Sequence, residues 1–511
     1  MVGTSAEKER YETVNASKEG LVNNDANQQI INAATKNPAA SGSVSYHTMN
    51  SYFGRVFYSY ADKYMITANI RWDGSSNFAD KHRWGVFPSV SGGWNFREES
   101  FIKDVVGDWF SQGKFRAAWG EIGNQNISSG AYLTRYGNST YYLLGNSMTP
   151  WLSGGRTNVG NPDLRWETTR QLDFGLDLAF FNSALKFNID YFDRKTSDML
   201  VQVPMPAAIG LPNTPWSNAG SVKNRGFEFV LDYHGKIGND FSYNFAGNIS
   251  TYKNKVLSLG GGTNIPGKTH LGNQVNTMIE PGKPIGYFYG YKMDGVFQTQ
   301  EEINNYRGGP DNTIIMPTAE PGDLKFVDLN GDGKLGEEDR TMIGNPHPDF
   351  TFGLTLSGEY KGFDLSMFFQ GSVGNDILNI LKYDIYSGTG WYNAPKDIFD
   401  KFWTGPGSTN ENFAISANSR DNLTMSEWYI ENGSYVRLKN VTLGYTFPKQ
   451  WVQKLTVQNL RLFVAAQNLF TITSYSGLDP ELGNSNPAFM GIDMGWYPQA
   501  RSFMVGLSLK L

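Results

Sequence analysis

The chain has 511 residues, including 57 glycines, with 14% aromatic and 18% charged side chains and a formal net charge of −5. The acidic balance argues against a nucleic-acid-binding surface, which is basic, and the lack of cysteine excludes disulfides, thiolate metal sites and a cysteine nucleophile. No run reaches the roughly 20 apolar residues that a spanning helix needs; membrane β-barrels are untouched by that test, because polar lumen and loops dilute their lipid face.

Met1 to Lys8 shows no basic start followed by an apolar core, so no signal peptide is read there, and the chain is either cytosolic or a piece of something longer. Residues 1–44 are polar, with a weak helical stretch near 27–35, and are expected to form a loop. From Ser45 long alternating segments begin. Tyr64, Ile66, Ala68, Ile70 and Trp72 oppose Thr67, Asn69, Arg71 and Asp73; Leu172, Phe174, Leu176, Leu178 and Phe180 oppose Gln171, Asp173, Gly175 and Asp177. At the C-terminus Phe503, Val505, Leu507, Leu509 and Leu511 oppose Ser502, Met504, Gly506, Ser508 and Lys510. Side chains alternate faces along a strand, so each segment has one apolar and one more polar face. About thirteen strands are expected on this pattern, at 45–60, 63–75, 83–96, 112–122, 164–180, 184–195, 217–234, 241–254, 349–361, 363–373, 433–447, 457–470 and 502–511.

Alternation alone also fits a β-sandwich. Strands of this length suit a tilted bilayer crossing better than a sandwich, whose strands average about five or six residues, and aromatics gather at the strand ends as interfacial girdles do. Short turns at 61–63, 182–183, 235–240 and 361–362 alternate with long connections at 123–163, 196–216, 255–348, 374–432 and 471–501. Outer-membrane barrels show this asymmetry, with short periplasmic turns and long outer loops. The expected fold class is all-β: the C-terminal part of a transmembrane antiparallel β-barrel with long extracellular loops. Residues 1–44 would end one such loop and 45–511 would supply barrel. Because bacterial single-chain barrels have even strand numbers, an odd number of strands would precede Met1. One short-side connection departs from the pattern: Phe101, Ile102, Val105, Val106 and Trp109 recur at helical spacing. This amphipathic helix is expected to plug the barrel's lower rim, with partner docking as the alternative.

Two motifs could carry chemistry. Gly262-Thr263-Asn264-Ile265-Pro266-Gly267-Lys268-Thr269 matches a phosphate loop, which needs a buried strand before it and a helix opening at Lys268 and Thr269. The antiparallel, Gly-rich setting makes it a coincidence of loop sequence. Asp328, Asn330 and Asp332 occupy positions 1, 3 and 5 of a calcium loop, Gly333 position 6, Lys334 offers a backbone carbonyl at 7, and Asp339 stands at 12, where a bidentate Glu is usual. The same residues favour a tight turn, so structural Ca2+ and a bare turn both stay open; no other cofactor is required. Trp151, Trp216, Trp391, Tyr392, Trp403 and Trp428 lie in long loops as candidates to stack on sugar rings or hold peptide side chains, or to pack the loops together. The five histidines are scattered and no Gly-x-Ser-x-Gly elbow occurs, so nothing points to an enzyme.

Several phrases run in order along the chain: Asn161-Pro162-Asp163-Leu164-Arg165-Trp166-Glu167-Thr168; Asn218-Ala219-Gly220 with Asn224-Arg225-Gly226-Phe227-Glu228; Gly290-Tyr291-Lys292-Met293-Asp294-Gly295; Pro321-Gly322-Asp323; Ile343-Gly344-Asn345-Pro346; Tyr435-Val436-Arg437-Leu438-Lys439-Asn440; Gln467-Asn468-Leu469-Phe470; and Gly477-Leu478-Asp479-Pro480-Glu481. In this combination the chain resembles the SusC/RagA family of TonB-dependent outer-membrane transporters. The resemblance implies a barrel of about 22 strands, filled by an N-terminal plug, capped outside by a SusD-like surface lipoprotein and driven by the TonB complex. It implies import of oligosaccharides, or in some members peptides, across the cell outer membrane. About nine strands, the plug and the TonB-contacting segment would then lie outside this chain. The polar face with Asp173, Asp177, Lys186, Asp190, Glu228 and Asp232 would line the lumen. Two alternatives stay open: a passive porin, which lacks a plug, and a soluble secreted glycan-binding β protein, with strands of half this length.

Overall fold

The computed structural model describes residues 1–510 except 24, 145–148, 203–213, 261–263, 268, 271–273, 387–391, 416–420, 453–456 and 485. Its frame is a fourteen-stranded antiparallel sheet in which each strand pairs with its neighbours in sequence. The strands are β1 (Val2–Leu21), β2 (Ala34–Tyr60), β3 (Tyr64–Ser75), β4 (Trp84–Trp94), β5 (Phe110–Asn124), β6 (Glu167–Phe180), β7 (Leu185–Ser197), β8 (Ser221–Ile237), β9 (Phe241–Ser258), β10 (Phe350–Tyr360), β11 (Phe363–Val373), β12 (Tyr435–Thr446), β13 (Asn459–Thr473) and β14 (Ser502–Lys510).

The alternation resolves into two faces. Ile66, Ile70, Val86, Val90, Leu172, Phe174, Leu462, Val464, Val505 and Leu507 are all exposed. The β3–β4 register, from Tyr64↔Trp94 to Trp72↔Val86, sets the large apolar side chains of both strands on one face. A soluble monomer does not present contiguous apolar area on this scale, and lipid is the solvent that suits it. On the opposite face Asp190 stands across from Glu228 and Lys186 from Asp232. The hairpins are closed by backbone that few side chains tolerate: Lys361 (φ 47°) and Gly362 (φ 91°) form the two-residue turn between β10 and β11, the left-handed geometry that matches strand twist.

The N-terminal expectation is corrected. Residues 1–44 are not a loop, because β1 pairs with β2 from Val2↔Gly54 to Leu21↔Ala34, giving fourteen strands rather than thirteen. An even count also removes the odd-number inference drawn from thirteen. The strand carries no apolar stripe to read: Lys8, Arg10 and Glu12 share a face with one another, and polar pairs such as Thr13 Oγ1···Ser43 Oγ (2.8 Å) join it to β2. β2 pairs with β3 only from Met49 onward. The upper part of the β1–β2 hairpin therefore projects beyond β3 on the long-loop side, where water replaces lipid and an apolar face is not needed.

The predicted helix is present as α1 (Ser100–Val106), but it does not plug the lower rim. Glu99, just before it, accepts hydrogen bonds from Tyr64 Oη (2.5 Å) and Trp94 Nε1 (3.1 Å). Both belong to the apolar outer face, so α1 lies outside the sheet. Of the phosphate-loop pattern, Gly262, Thr263 and Lys268 lie outside the described residues; Ile265–Pro266 is a short strand paired with Met278 and Ile279, and Thr269–His270 one paired with Gln274–Val275.

Candidate functional site

The long connections on the side opposite the short turns fold together rather than hanging free. Residues between β9 and β10, β11 and β12, and β13 and β14 share one core that includes Phe288, Phe297, Leu324, Phe326, Leu378 and Trp428. Asp376–Asn379 lies between Ile430–Asn432, antiparallel, and Ile492–Asp493, parallel, so one small sheet closes the β11–β12 connection on itself and laces it to the β13–β14 connection.

The phrases read from sequence prove to be clasps between loops. Arg437, on the lumen side of β12, donates from Nη2 to Asp479 (2.6 Å) and from Nη1 to Glu481 (2.6 Å), and Lys439 Nζ reaches Glu481 at 2.8 Å. The Tyr435–Asn440 phrase thus holds the Gly477–Glu481 phrase, drawing the last long loop inward. Burial pushes the Asp479 carboxyl up, but the Arg437 guanidinium and the N–H groups of Gln499 and Glu481 outweigh it and hold the group below its ordinary range. Asn218 Oδ1 accepts from the Arg165 N–H, and its Nδ2 donates to the Arg165 carbonyl, both at 2.8 Å. Asn345 donates its N–H to Asp376 Oδ2 at 2.8 Å. On the lumen face below, Arg116 bridges Asp177 (2.8 Å) and Asp190 (2.9 Å).

A cavity of about 500 Å³ opens in the loop core, lined by Lys382, Tyr386, Asp397, Lys401, Trp428 and Glu431 among others. Lys382 and Tyr386 stand on α2 (Leu381–Tyr386). Lys382 Nζ lies 3.0 Å from Glu431 and donates to the Trp428 carbonyl at 2.8 Å. Burial raises the Glu431 carboxyl, yet Lys382 and the Ser476 N–H and O–H overcome it and the group stays ionised below its usual range. Lys401 Nζ sits 2.6 Å from Asp397, and this hydrogen bond lowers the Asp397 pKa. The wall therefore offers two ion pairs and aromatic edges, the mixture that orients a polar ligand while an apolar surface covers it.

The predicted aromatic residues are dispersed. Trp428 is 6% exposed, with its Nε1 donating to Asn412 Oδ1 at 3.0 Å, and it packs against Phe402, Phe413 and Tyr429. Trp403 packs on the same core and donates to Gln298 Oε1 at 3.1 Å. Trp216 is half-buried in a separate cluster with Phe78, Phe87, Leu164 and Trp166. Tyr392 is exposed. Trp391 and the side chain of Trp151 lie outside the described residues. Lys382 and Glu431 carried no sequence signal: far apart in the chain, they meet only through the small three-stranded sheet.

In the Asp328–Asp339 loop the side chains cap backbone amides. Asp328 accepts from the N–H of Gly331 (2.7 Å) and Gly333 (2.8 Å), Asn330 from Asp332 (2.9 Å), and Asp332 from Lys334 (2.9 Å). Fully buried Asp339 accepts from Leu329 (2.8 Å), Asn330 (3.3 Å) and Gly336 (2.7 Å). Among the described residues no group of three or more His, Asp or Glu is placed to hold a metal ion.

A lipid-facing antiparallel sheet with short turns at one end and packed loops at the other defines a membrane β-barrel. Residues 8–469 match the family described as TonB dependent receptor-like, beta-barrel. TonB-dependent receptor P3 of Formosa agariphila is 35% identical across 99% of this chain and 50% of its own length. TonB-dependent receptor SusC of Bacteroides thetaiotaomicron is 32% identical across 91% of this chain and 44% of its own. The RagAB peptide transporter structure superposes with a TM-score of 0.80 at 22% identity, covering 99% of this chain and 52% of that one. The chain belongs to the SusC/RagA-like TonB-dependent receptors of the outer membrane, and it spans about half the length of the curated relatives it matches. Those relatives are receptors and transporters, not enzymes.

Proposed function

We propose that this chain forms barrel and loops of an active nutrient importer that takes up oligosaccharides, works with a SusD-like surface lipoprotein and is driven by the TonB complex. The observation that carries the reading is the inward clasp of Arg437 on Asp479 and Glu481. It draws an outer loop toward a charged lumen face, an arrangement suited to gated passage rather than an open pore. The TonB-dependent relatives support energy coupling. The two ion pairs of the loop cavity favour a second ligand class, peptides, whose termini and side chains are charged; RagAB, similar in fold, is described as a peptide transporter.

The test is uptake of labelled oligosaccharide and of labelled peptide by cells carrying the complete protein, before and after a protonophore collapses the proton gradient. Accumulation that stops with the gradient is expected. Uptake that continues at full rate means a passive porin and overturns the reading. Gentle detergent purification of the complete protein should recover a surface lipoprotein with it; purification of the barrel alone would remove the lid from the proposal. Calcium in the Asp328–Asp339 loop is a further part of this reading, resting on the 1-3-5-6-12 pattern and on the lone pairs that the capped carboxylates keep. Calorimetry without a calcium signal would reduce that loop to a self-capped turn.

A further inference from the structure

The segment between β4 and β5 presents an apolar surface outside the loop core and its cavity. Phe101, Val105 and Trp109 are 65%, 82% and 54% exposed, with Ile102 and Val106 half-buried beside them. At 100° per residue the four on α1, Phe101, Ile102, Val105 and Val106, span an arc of about 140°, a broad face for so short a helix, and Trp109 follows just past its end. Lys103 and Asp104 stand on the other side, and Lys103 is paired with Glu98 at 3.0 Å.

Three contacts fix where this face lies. Glu99 is held by Tyr64 Oη, Trp94 Nε1 and Lys63 Nζ (3.3 Å), at the strand ends next to the short turn 61–63. Phe96 stacks on Phe110, and Trp109 stacks on Phe180 with ring planes 12° apart. Tyr64, Trp94 and Phe180 all sit on the lipid-facing side of the sheet, in register with Trp94, Phe115 and Phe110 across the pairs. The helix is thus an outward continuation of the aromatic belt at the periplasmic rim. Lys63 beside Glu99 keeps the carboxylate at headgroup depth, where water and charge remain available.

We propose that residues 96–109 form an interfacial anchor, with Phe101, Val105 and Trp109 embedded in the periplasmic phospholipid leaflet of the outer membrane. The face seats about 5–10 Å into the boundary between headgroups and acyl chains, as amphipathic surface helices do. The segment 97–108 carries Arg97 and Lys103 against Glu98, Glu99, Asp104 and Asp108. Apolar insertion, not attraction to anionic lipid, therefore holds it. The anchor would fix the tilt of β3 to β6 against the bilayer at the rim where the short turns lie.

The test uses the complete barrel protein reconstituted in phosphatidylethanolamine-containing vesicles. This chain has no cysteine, so an environment-sensitive fluorophore on Val105→Cys and, separately, on Lys103→Cys reports each side of α1, and heat-modifiable electrophoretic mobility confirms that each variant is folded. At Val105→Cys, blue-shifted emission is expected, quenched several-fold more by a shallow lipid nitroxide than by a water-soluble quencher. The order should reverse at Lys103→Cys. Equal aqueous quenching at both sites overturns the proposal, as does protection of Val105→Cys from both quenchers, which would mean that protein covers the face.

Discussion

Replacing Arg437 with Met removes the cation that joins β12 to the final outer loop. The Arg437 side chain is 4% exposed and its partner Asp479 6%, so solvent does not screen the pair; Glu481, at 26%, retains some water. Loss of one partner leaves buried carboxylate without compensation, which costs about 3–5 kcal/mol. Carried entirely by the loop, this raises its local opening constant about 10²-fold to several 10³-fold. Hydrogen exchange of the complete protein in detergent reads that directly: amides in 474–501 should lose protection, while the β9–β11 amides stay unchanged. The pH profile adds an independent check. Asp479 has a folded pKa below its unfolded value of about 3.9; the clasp is therefore fully present above that value and is lost as pH falls through the lower folded one. Wild-type protection of 474–501 should hold from pH 7 to 5 and fall only in stronger acid. If Arg437→Met leaves exchange in 474–501 at the wild-type rate, the clasp does not hold the loop and the gating argument goes with it.

Asp339→Ala deprives three backbone N–H groups of their acceptor, at about 1–3 kcal/mol for each group left buried and unpaired; limited proteolysis should nick residues 329–336 in the variant and spare the wild type. His347 donates from Nε2 to the Ile285 carbonyl at 3.0 Å, and burial lowers its pKa below the usual 6.5. Its contribution is present above about 6.5 and is lost as pH falls toward the folded value, so exchange at 283–287 should quicken at pH 5, and His347→Gln should flatten that dependence. Gly362→Val forces a β-branched residue to φ 91°, a strain of about 1–2 kcal/mol, and should lower the temperature at which β-barrel mobility is lost on gels. Phe503→Asn puts an amide on the lipid face of β14 and should reduce the amount of the complete protein in outer-membrane fractions; equal amounts would mean that this position does not guide assembly.

The barrel was legible because lipid imposes a two-residue period on sequence. Each strand that meets lipid, from Tyr64–Trp72 to Phe503–Leu509, carries that period, and the observed strands end within a few residues of the expected ones. β1 and the upper half of β2 were missed for the converse reason: above the membrane, backbone pairing alone suffices, and Thr, Ser, Lys and Glu on both faces leave no pattern. Helical spacing found α1 but not its side of the wall, which depends on Glu99 meeting Tyr64 and Trp94. The loop cavity was invisible, since Lys382, Asp397 and Glu431 stand at separate points of the β11–β12 connection and converge only once it folds into the shared loop core.

The division of labour within the loops follows from where the charges are spent. Arg437, Asp479 and Glu481, and the amides of Asn218 and Asn345, lie inside the recognisable phrases and are engaged by one another, by backbone or by Asp376. The cavity, by contrast, is lined by Lys382, Tyr386, Asp397 and Lys401, all outside those phrases, with Lys401 and Asp397 only partly covered. An exposed pair of this kind contributes about 0–1 kcal/mol to stability, so it can exchange partners at little cost when a polar ligand enters. The residues that make the family recognisable therefore tie the loops together, and under the proposed function the cavity residues, which carry no recognisable signature, are the ones free to meet a ligand.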